Sequence, residues 1–151
     1  MHTIDIKILD QRLGNEFDFI KYQTRGSCAM DLKAMILNEV VVLSQQVILI
    51  PTGISIFIKD PLITAMILPR SGLGHNHGII LGNTIGIVDS DYQGELMVSI
   101  WNRHINSFNI FPGDRFAQLM FVPIIKPIFN IVSSFRPTSR NKKGFGHSGV
   151  K

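Results

Sequence analysis

Short apolar stretches separated by turn-forming residues are the main pattern along this 151-residue chain. Residues 3–9, TIDIKIL, alternate between apolar and polar side chains, which predicts a strand with one buried face. Further apolar stretches predict more strands: VVVL (40–43), VILI (47–50), ISIFI (54–58), ITAMIL (63–68), LMVSIW (96–101), FNIF (108–111) and LMFVPII (119–125). Many of these residues are β-branched, which favours a pleated surface. The pattern therefore predicts an all-β fold: a sandwich, a jelly roll or a barrel.

Turn-forming residues interrupt the apolar stretches, for example at Pro51–Gly53, between two of the predicted strands. No segment has the length and periodicity of a long amphipathic helix. Only SGLGHNH (71–77) and DRFAQLM (114–120) allow one or two helical turns. We expect Arg115 and Gln118 to project from the second of these turns.

Positive charge is concentrated at one end of the chain. The last 19 residues carry five basic and no acidic residues, whereas residues 1–132 carry ten basic and eleven acidic ones. A nucleic-acid-binding domain usually has a basic stripe on its folded surface. We therefore predict a near-neutral domain over residues 1–132, a flexible C-terminal arm over residues 133–151, and no stable binding of nucleic acid.

Composition also narrows the cellular context. No apolar stretch approaches the roughly 20 residues that a membrane helix requires, and MHTIDIKILD lacks the apolar stretch of a signal peptide. The single cysteine, Cys28, cannot form an internal disulfide. We expect a cytoplasmic protein that does not bind membranes.

Two loops have residues suited to binding a nucleotide. In PRSGLG (69–74), serine and glycine allow a tight turn whose backbone N–H groups can face an anion, and Arg70 can add a charge-assisted contact. In GNTIG (82–86), the amide of Asn83 can donate to and accept from a base edge. Each loop, taken alone, is also compatible with an ordinary surface turn, and for GNTIG the turn is the favoured interpretation.

Three other segments have a structural and a functional interpretation. GIVDSDYQGE (86–95) is either a simple hairpin turn or a turn that presents a carboxylate for chemistry. Asp31 is either an edge residue or a site group in an otherwise apolar strand. In RNKKGFGHSGVK (140–151), Phe145 between glycines indicates either a solubilising tail or an arm that closes over a ligand.

Five stretches in a fixed order carry a resemblance to a known family: SCAMDL, PRSGL, GIVDSDYQGE, PGDRFAQ and RNKKGFGHSG. Together they resemble the five motifs of the trimeric deoxyuridine triphosphatases, especially the bacterial enzymes. The resemblance implies a jelly-roll subunit and a homotrimer with active sites at subunit interfaces. It also implies Mg²⁺-dependent hydrolysis of dUTP to dUMP and pyrophosphate, which keeps uracil out of DNA and supplies dUMP for thymidylate synthesis.

The resemblance also assigns roles to residues of the third motif. Asp89 would be the general base that activates the attacking water, because an aspartate is ionised at neutral pH and can accept a proton. Tyr92 would pack under the deoxyribose and leave no room for a 2′-hydroxyl. The residues expected to read uracil are Asn83, Ile87, Val88, Asp89 and Met97.

The remaining motifs would bind the triphosphate. The residues expected to hold phosphates are Arg70, Ser71, Gly72 and Gln118, joined by Arg140 and Ser148 when the arm closes. Asp31 would lie near Mg²⁺ through water, since this cation keeps several waters and prefers the triphosphate's own oxygens. Phe145 would stack on uracil.

Two departures from the family pattern concern backbone conformation. Ala29 replaces the usual glycine of the first motif, and its methyl group would add strain if that backbone needs a positive φ. Asn141, Lys142 and Lys143 replace a glycine-rich run in the last motif; asparagine tolerates left-handed conformations. Two alternatives remain at this point: the related dCTP deaminase, and a non-catalytic trimeric binding module.

Overall fold

The computed structural model describes residues 3–145, and these form ten strands and one short helix. The helix, α1 (Ser71–His77), lies where the sequence allows one or two helical turns. The strands are β1 (Asp5–Ile8), β2 (Met30–Lys33), β3 (Val40–Val42), β4 (Val47–Phe57), β5 (Ile63–Pro69), β6 (Ile79–Leu81), β7 (Gly86–Val88), β8 (Glu95–Asn102), β9 (Phe108–Ile110) and β10 (Arg115–Pro123).

Two four-stranded antiparallel sheets form the body of the fold. Their strand orders are β1-β4-β8-β6 and β2-β10-β5-β7, and β3 pairs separately with β9. From β4 to β8 the chain alternates between the two sheets, so neighbouring strands in sequence lie in opposite layers. This architecture is a jelly-roll sandwich, and the prediction of an all-β fold is confirmed.

The core consists of aliphatic side chains that the two sheets contribute from their inner faces. In β8, every second residue is buried, as the alternation in the sequence predicts. The buried residues of the four long strands include Ile50, Ile54, Ile56, Ala65, Ile67, Leu96, Val98, Ile100, Ala117 and Leu119. Burying one large aliphatic side chain contributes about 1.5–3 kcal/mol, so this core supports the loops that carry the candidate site.

The predicted break between the strands at 47–50 and 54–58 is wrong, because β4 continues through both segments. The turn-forming residues between them produce an irregularity in the pairing with β8 instead. Gly53 has φ 69°, and its backbone N–H donates to the Glu95 carboxylate at 2.9 Å. The Thr52 hydroxyl donates to the Leu96 carbonyl at 2.6 Å, so contacts with β8 hold the strand together.

The predicted helical turn over 114–120 is also wrong, since residues 115–123 form β10. This strand lies between β2 and β5 and forms backbone hydrogen bonds with both. Phe116, Ala117 and Leu119 are buried. The sheet decides the conformation because two strands distant in sequence offer unpaired backbone groups on both sides.

Among residues 3–145, no helix has the length and apolar character needed to cross a membrane.

An ion pair between Asp10 and Arg12 anchors the segment after β1 to the segment after β2. Arg12 Nη2 donates to the Asp10 carboxylate at 2.6 Å. Arg12 Nη1 donates to the Ile36 carbonyl at 2.9 Å, and Nη2 also donates to the Met35 carbonyl. The hydrogen bonds from the Arg12 side chain lower the pKa of Asp10 below its usual value.

We expect Asp10→Asn to lower the melting temperature at pH 7 by roughly 2–4 °C. The lowered pKa means that Asp10 contributes stability above the pKa of the unfolded chain, and this contribution is lost as pH falls through the folded-state pKa. The difference from the wild type should therefore shrink as the pH falls below about 4. Thermal unfolding followed by circular dichroism across this range measures it.

Asp18→Asn is the matched control, because Asp18 pairs with Lys21 on the surface and both side chains are more than half exposed. Such pairs contribute little to stability. If Asp10→Asn lowered the melting temperature no more than Asp18→Asn does, this result would contradict the anchoring role of the Asp10–Arg12 pair.

Candidate active site

Three neighbouring strands build one cleft of about 410 Å³ at the start of α1. In the β2–β10 ladder, Gln118 is paired with Asp31, and in the β10–β5 ladder it is paired with Leu68. β5 then ends at Pro69 and leads directly into the loop and α1. We call this the Arg70 cleft; it is lined by Asp31, Arg70, Ser71, Gly72, Leu73, Asn76, His77 and Gln118.

Two arginines meet one carboxylate in the Arg70 cleft. Arg70 Nε lies 2.9 Å from Asp31 Oδ1, and Arg115 Nη1 lies 3.2 Å from Asp31 Oδ2. The Asp31 side chain is only 15% exposed, so both of its oxygens face guanidinium groups rather than bulk water. Two positive charges against one negative charge leave the cleft with a surplus of positive charge, which suits a polyanion.

Further hydrogen bonds hold the same side chains in place. Arg70 Nη1 donates to the Arg115 carbonyl at 2.7 Å, and Gln118 Nε2 donates to the Pro69 carbonyl at 2.9 Å. These bonds join the end of β5 to β10 through side chains as well as through the backbone. The guanidinium and amide groups therefore have defined positions before any ligand binds.

A second cleft, of about 210 Å³, lies beside the turn between β7 and β8; these strands belong to opposite sheets and do not pair with each other, so the turn does not close a two-stranded hairpin. We call it the hairpin cleft after the hairpin turn considered for residues 86–95; its lining is Ile67, Asn83, Gly86, Ile87, Val88, Asp89, Tyr92, Glu95, Leu96 and Met97. It shares no lining residue with the Arg70 cleft. Pockets that enclose a whole small molecule usually measure about 300–1,000 Å³, so the hairpin cleft suits one part of a larger ligand.

The backbone around Asp89 is held from three directions. The buried Thr64 hydroxyl donates to the Val88 carbonyl at 2.8 Å, immediately before Asp89. The Lys59 N–H donates to the Ser90 carbonyl at 3.1 Å, and the Tyr92 N–H donates to the carbonyl of Asp89 itself at 3.2 Å. The Asp89 residue is exposed, so a fixed backbone presents an accessible carboxylate to the cleft.

A strained turn presents Asn83. Its neighbour Thr84 has φ 60°, a left-handed conformation that costs a β-branched residue about 1–3 kcal/mol. Two backbone hydrogen bonds close the turn. The Thr84 N–H donates to the Leu81 carbonyl at 3.1 Å, and the Ile85 N–H donates to the Asn83 carbonyl at 2.7 Å. Strain of this kind persists only where the surrounding structure imposes it. Here the strained backbone at Thr84 sets the direction of Asn83 beside the hairpin cleft.

Two predicted residues of the arm that the structure describes, Arg140 and Phe145, line neither cleft within one chain. Phe145 is fully exposed, and Arg140 Nε donates to the Lys143 carbonyl at 3.2 Å within the arm. Ser148 lies outside the described residues. The other predicted site residues divide between the clefts: Asp31, Arg70, Ser71, Gly72 and Gln118 in one, and Asn83, Ile87, Val88, Asp89, Tyr92 and Met97 in the other.

The backbone accommodates two of the departures from the family pattern, at Ala29 and Asn141. Ala29 is not among the residues with positive φ, so its methyl group adds no strain of the kind considered above. Asn141 has φ 46°, which confirms that asparagine takes a left-handed conformation in this part of the arm. The substitutions at these two positions are therefore compatible with the local backbone.

Sequence reasoning assigned no role to two residues that help to form the site. Arg115 pairs with Asp31 across 84 positions, and Thr64 supports the backbone before Asp89 from 24 positions away. Arg115 could have been noticed because its motif also contains Gln118. No sequence pattern identified Thr64 as a site residue, since threonine is common in apolar strands and its hydrogen-bond acceptor is remote in sequence.

The donor groups allow a test of whether Mg²⁺ fits the Arg70 cleft. Among residues 3–145, no group of three or more histidine, cysteine, aspartate or glutamate side chains could hold a metal ion. Asp31 is the single carboxylate that lines the cleft, and both of its oxygens are paired with arginines. Mg²⁺ commonly binds one or two carboxylates, several waters and substrate phosphates. The donor set therefore fits a cation that arrives with a phosphate ligand and meets Asp31 through water.

Comparisons with known proteins show which family the chain resembles. A family model described as dUTPase matches residues 15–149. The deoxyuridine 5′-triphosphate nucleotidohydrolase of Haemophilus ducreyi is 58% identical over 149 residues, covering 99% of this chain and 98% of the relative.

Two solved structures share the fold. The dUTPase of Staphylococcus bacteriophage 80alpha, solved as a mutant with dUpNHpp, has a TM-score of 0.85 at 23% identity and covers 99% of this chain and 100% of its own. A mutant dUTPase from phage phi11 of S. aureus, reported with a structural Mg(II) ion, has a TM-score of 0.77 at 20% identity; the match covers 90% of this chain and 100% of that one. The match of the family model across most of the chain, together with a close relative over its full length, establishes that the chain belongs to the dUTPase family.

Proposed function

We propose that this chain hydrolyses dUTP to dUMP and pyrophosphate. The observation that carries the proposal is the position of Asp89, which lines the hairpin cleft on a backbone held by three hydrogen bonds. An ionised carboxylate there can accept a proton from water as the water oxygen bonds to the α-phosphorus. The bond from the α-phosphorus to the bridging oxygen breaks, and pyrophosphate leaves with the bonding electrons.

The hairpin cleft supports selection of uracil and deoxyribose. The Asn83 amide offers both a donor and an acceptor, matching the alternating groups on the edge of uracil. The backbone from Ile87 to Asp89 adds further polar groups, and Met97 closes the opposite wall. Tyr92 would lie against the sugar, where its ring leaves no room for a 2′-hydroxyl.

The Arg70 cleft supports binding of the triphosphate. Arg70, Ser71, Gly72 and Gln118 would contact its oxygens, with Arg115 adding positive charge beside them. Mg²⁺, when bound with the nucleotide, supplies charge neutralisation as the pyrophosphate leaves. Asp31 would orient waters of that cation from within the cleft. Arg140, Ser148 and Phe145 would complete the site from the arm, which we assign to residues 133–151, after a domain of residues 1–132.

A homotrimer is supported by the apolar side chains that a single chain leaves exposed. Five large residues between positions 125 and 135 are between 86% and 98% exposed: Ile125, Ile128, Phe129, Ile131 and Phe135. On the outer face of β4, Val47 and Leu49 are also more than half exposed. Large exposed apolar surface is typical of a protein–protein interface. Assembly of three copies would cover both surfaces and bring an arm to a neighbouring site.

We expect the wild type to sediment at about three times the chain mass of 16.9 kDa. The double substitution Ile128→Asp with Phe129→Asp should shift the protein towards the monomer, because charged side chains replace two apolar ones at the interface and such changes cost about 2 kcal/mol or more. Sedimentation velocity at several concentrations measures this shift. The control is Ile105→Asp, a single exposed isoleucine in the loop after β8. An unchanged sedimentation coefficient in the double variant would contradict the assignment of this surface.

Release of pyrophosphate from dUTP with Mg²⁺ tests the proposed activity directly. The assay is run beside dCTP, dTTP and UTP, and release of ammonia from dCTP is measured separately. Turnover confined to dUTP is the expected result. Ammonia release would indicate a deaminase, and binding of dUTP without turnover by a folded trimer would indicate a binding module.

A further inference from the structure

Tyr92 occupies the space that a side chain at Gly94 would need. Gly94 lies in the turn between β7 and β8, immediately before Glu95. A Cβ atom built on Gly94 would lie 2.7 Å from Tyr92 Cζ and 3.1 Å from Cε2, and closer still to the hydroxyl oxygen. Carbon atoms in non-bonded contact lie about 3.5–4.0 Å apart, so the ring can fold over this position only because it is a glycine.

Hydrogen bonds hold the ring over Gly94. The Tyr92 hydroxyl donates to the Glu95 carbonyl at 3.0 Å. Glu95 is itself tied to β4, because its carboxylate accepts the Gly53 N–H at 2.9 Å. Tyr92 is 44% exposed as a residue, so burial alone does not fix the position of its ring. The hydroxyl contact and the bare backbone at Gly94 therefore determine where the ring lies in the hairpin cleft.

We infer that Gly94 is a specificity-determining position, which excludes ribonucleotides by allowing Tyr92 to lie against the sugar. The inference rests on the proposed function and deepens it, because it names what positions the sugar-facing ring. Any side chain at position 94 would push the ring away from Glu95. A displaced ring would leave the position proposed for it against the sugar, where it excludes a 2′-hydroxyl, so UTP would compete better with dUTP.

Gly94→Ala is a suitable probe because the backbone can accept it. Gly94 does not have a positive φ, so alanine introduces no strain of that kind. The close atoms belong to the far end of the Tyr92 side chain, which can rotate away without moving the strands. The variant should therefore fold normally while its ring occupies a different position.

The experiment measures kcat/KM for dUTP and for UTP in the wild type, Gly94→Ala and Tyr92→Ala. We expect the preference for dUTP over UTP to fall by about tenfold or more in both variants, since a loosened pocket loses discrimination on this scale. Gly26→Ala is the matched control, because a Cβ there meets nothing within 4 Å and φ is again not positive. Its preference should equal that of the wild type.

If a folded Gly94→Ala variant kept the wild-type preference for dUTP over UTP, this result would overturn the inference. Should Gly94→Ala fail to fold, Tyr92→Ala decides, because the inference requires that the ring over Gly94 excludes the 2′-hydroxyl. A preference for dUTP over UTP that is unchanged in Tyr92→Ala would then overturn the inference. Failure of the proposed function has a different signature, namely a wild type that does not turn over dUTP in the same assay.

Discussion

Replacing Asp89 with asparagine is expected to lower kcat for dUTP by about two to four orders of magnitude, with a much smaller change in KM. Asparagine has nearly the same shape but cannot accept a proton from the attacking water at neutral pH. The backbone contacts from Thr64, Lys59 and Tyr92 do not involve the Asp89 side chain, so the turn between β7 and β8 should keep its conformation. Steady-state release of pyrophosphate, with circular dichroism as a check on folding, measures the effect.

Asp91→Asn is the matched control for this experiment. Asp91 lies two residues later in the same turn and is also exposed, but it does not line the hairpin cleft. We expect its kcat to stay within about twofold of the wild type, because only contacts made in the transition state change kcat strongly. A similar loss in both variants would indicate that charge in the turn, rather than proton acceptance at Asp89, determines the rate.

Replacing Arg70 with alanine is expected to lower kcat/KM for dUTP by about 100- to 1,000-fold. The substitution removes one of the two guanidinium groups at the cleft and leaves Asp31 paired with Arg115 alone. A triphosphate would then approach a cleft in which the surplus of positive charge has been lost. Initial rates across a range of dUTP concentrations separate the effect on KM from the effect on kcat.

Two further variants show whether the effect of Arg70→Ala is specific to the charge and shape of this side chain. Arg70→Lys keeps the charge but loses the planar fork that reaches Asp31 and the Arg115 carbonyl, so we expect it to recover only part of the activity. Arg25→Ala removes an exposed arginine that does not line the Arg70 cleft and should leave kcat/KM unchanged. Full activity in Arg70→Ala would contradict the assignment of this cleft to the triphosphate.

The fold was predictable from sequence where its causes are local. The alternation along β8 and the apolar stretch of β5 identify strands, because side chains in a strand point alternately to its two faces. Turn-forming residues were a less reliable guide. Pro51 and Gly53 indicated a break between two strands, yet β4 continues through them because the side chains of Thr52 and Glu95 make bonds that stabilise the irregular pairing.

The candidate site was predictable to the extent that its chemistry lies in short ordered motifs. The predicted residues of the first four motifs do line the Arg70 cleft and the hairpin cleft, whereas Arg140 and Phe145 of the last motif line neither. The residues missed were Thr64, whose contact with the backbone before Asp89 links distant parts of the chain, and Arg115, which pairs with Asp31 on another strand. Pattern reasoning could not find such contacts, since they depend on which strands lie side by side.

The sequence by itself determined that the chain forms strands and where most of them lie, because these properties follow from nearest neighbours and side-chain type. The roles of the motifs in the chemistry stay a prediction from the family resemblance. Only the tertiary structure decided that residues 115–123 form a central strand, that Asp31 is held between two arginines, and that Tyr92 folds over Gly94. Each of these depends on the register between strands or on the path of a turn. Register arises from packing and backbone hydrogen bonding across the whole sheet, which no local stretch of sequence contains.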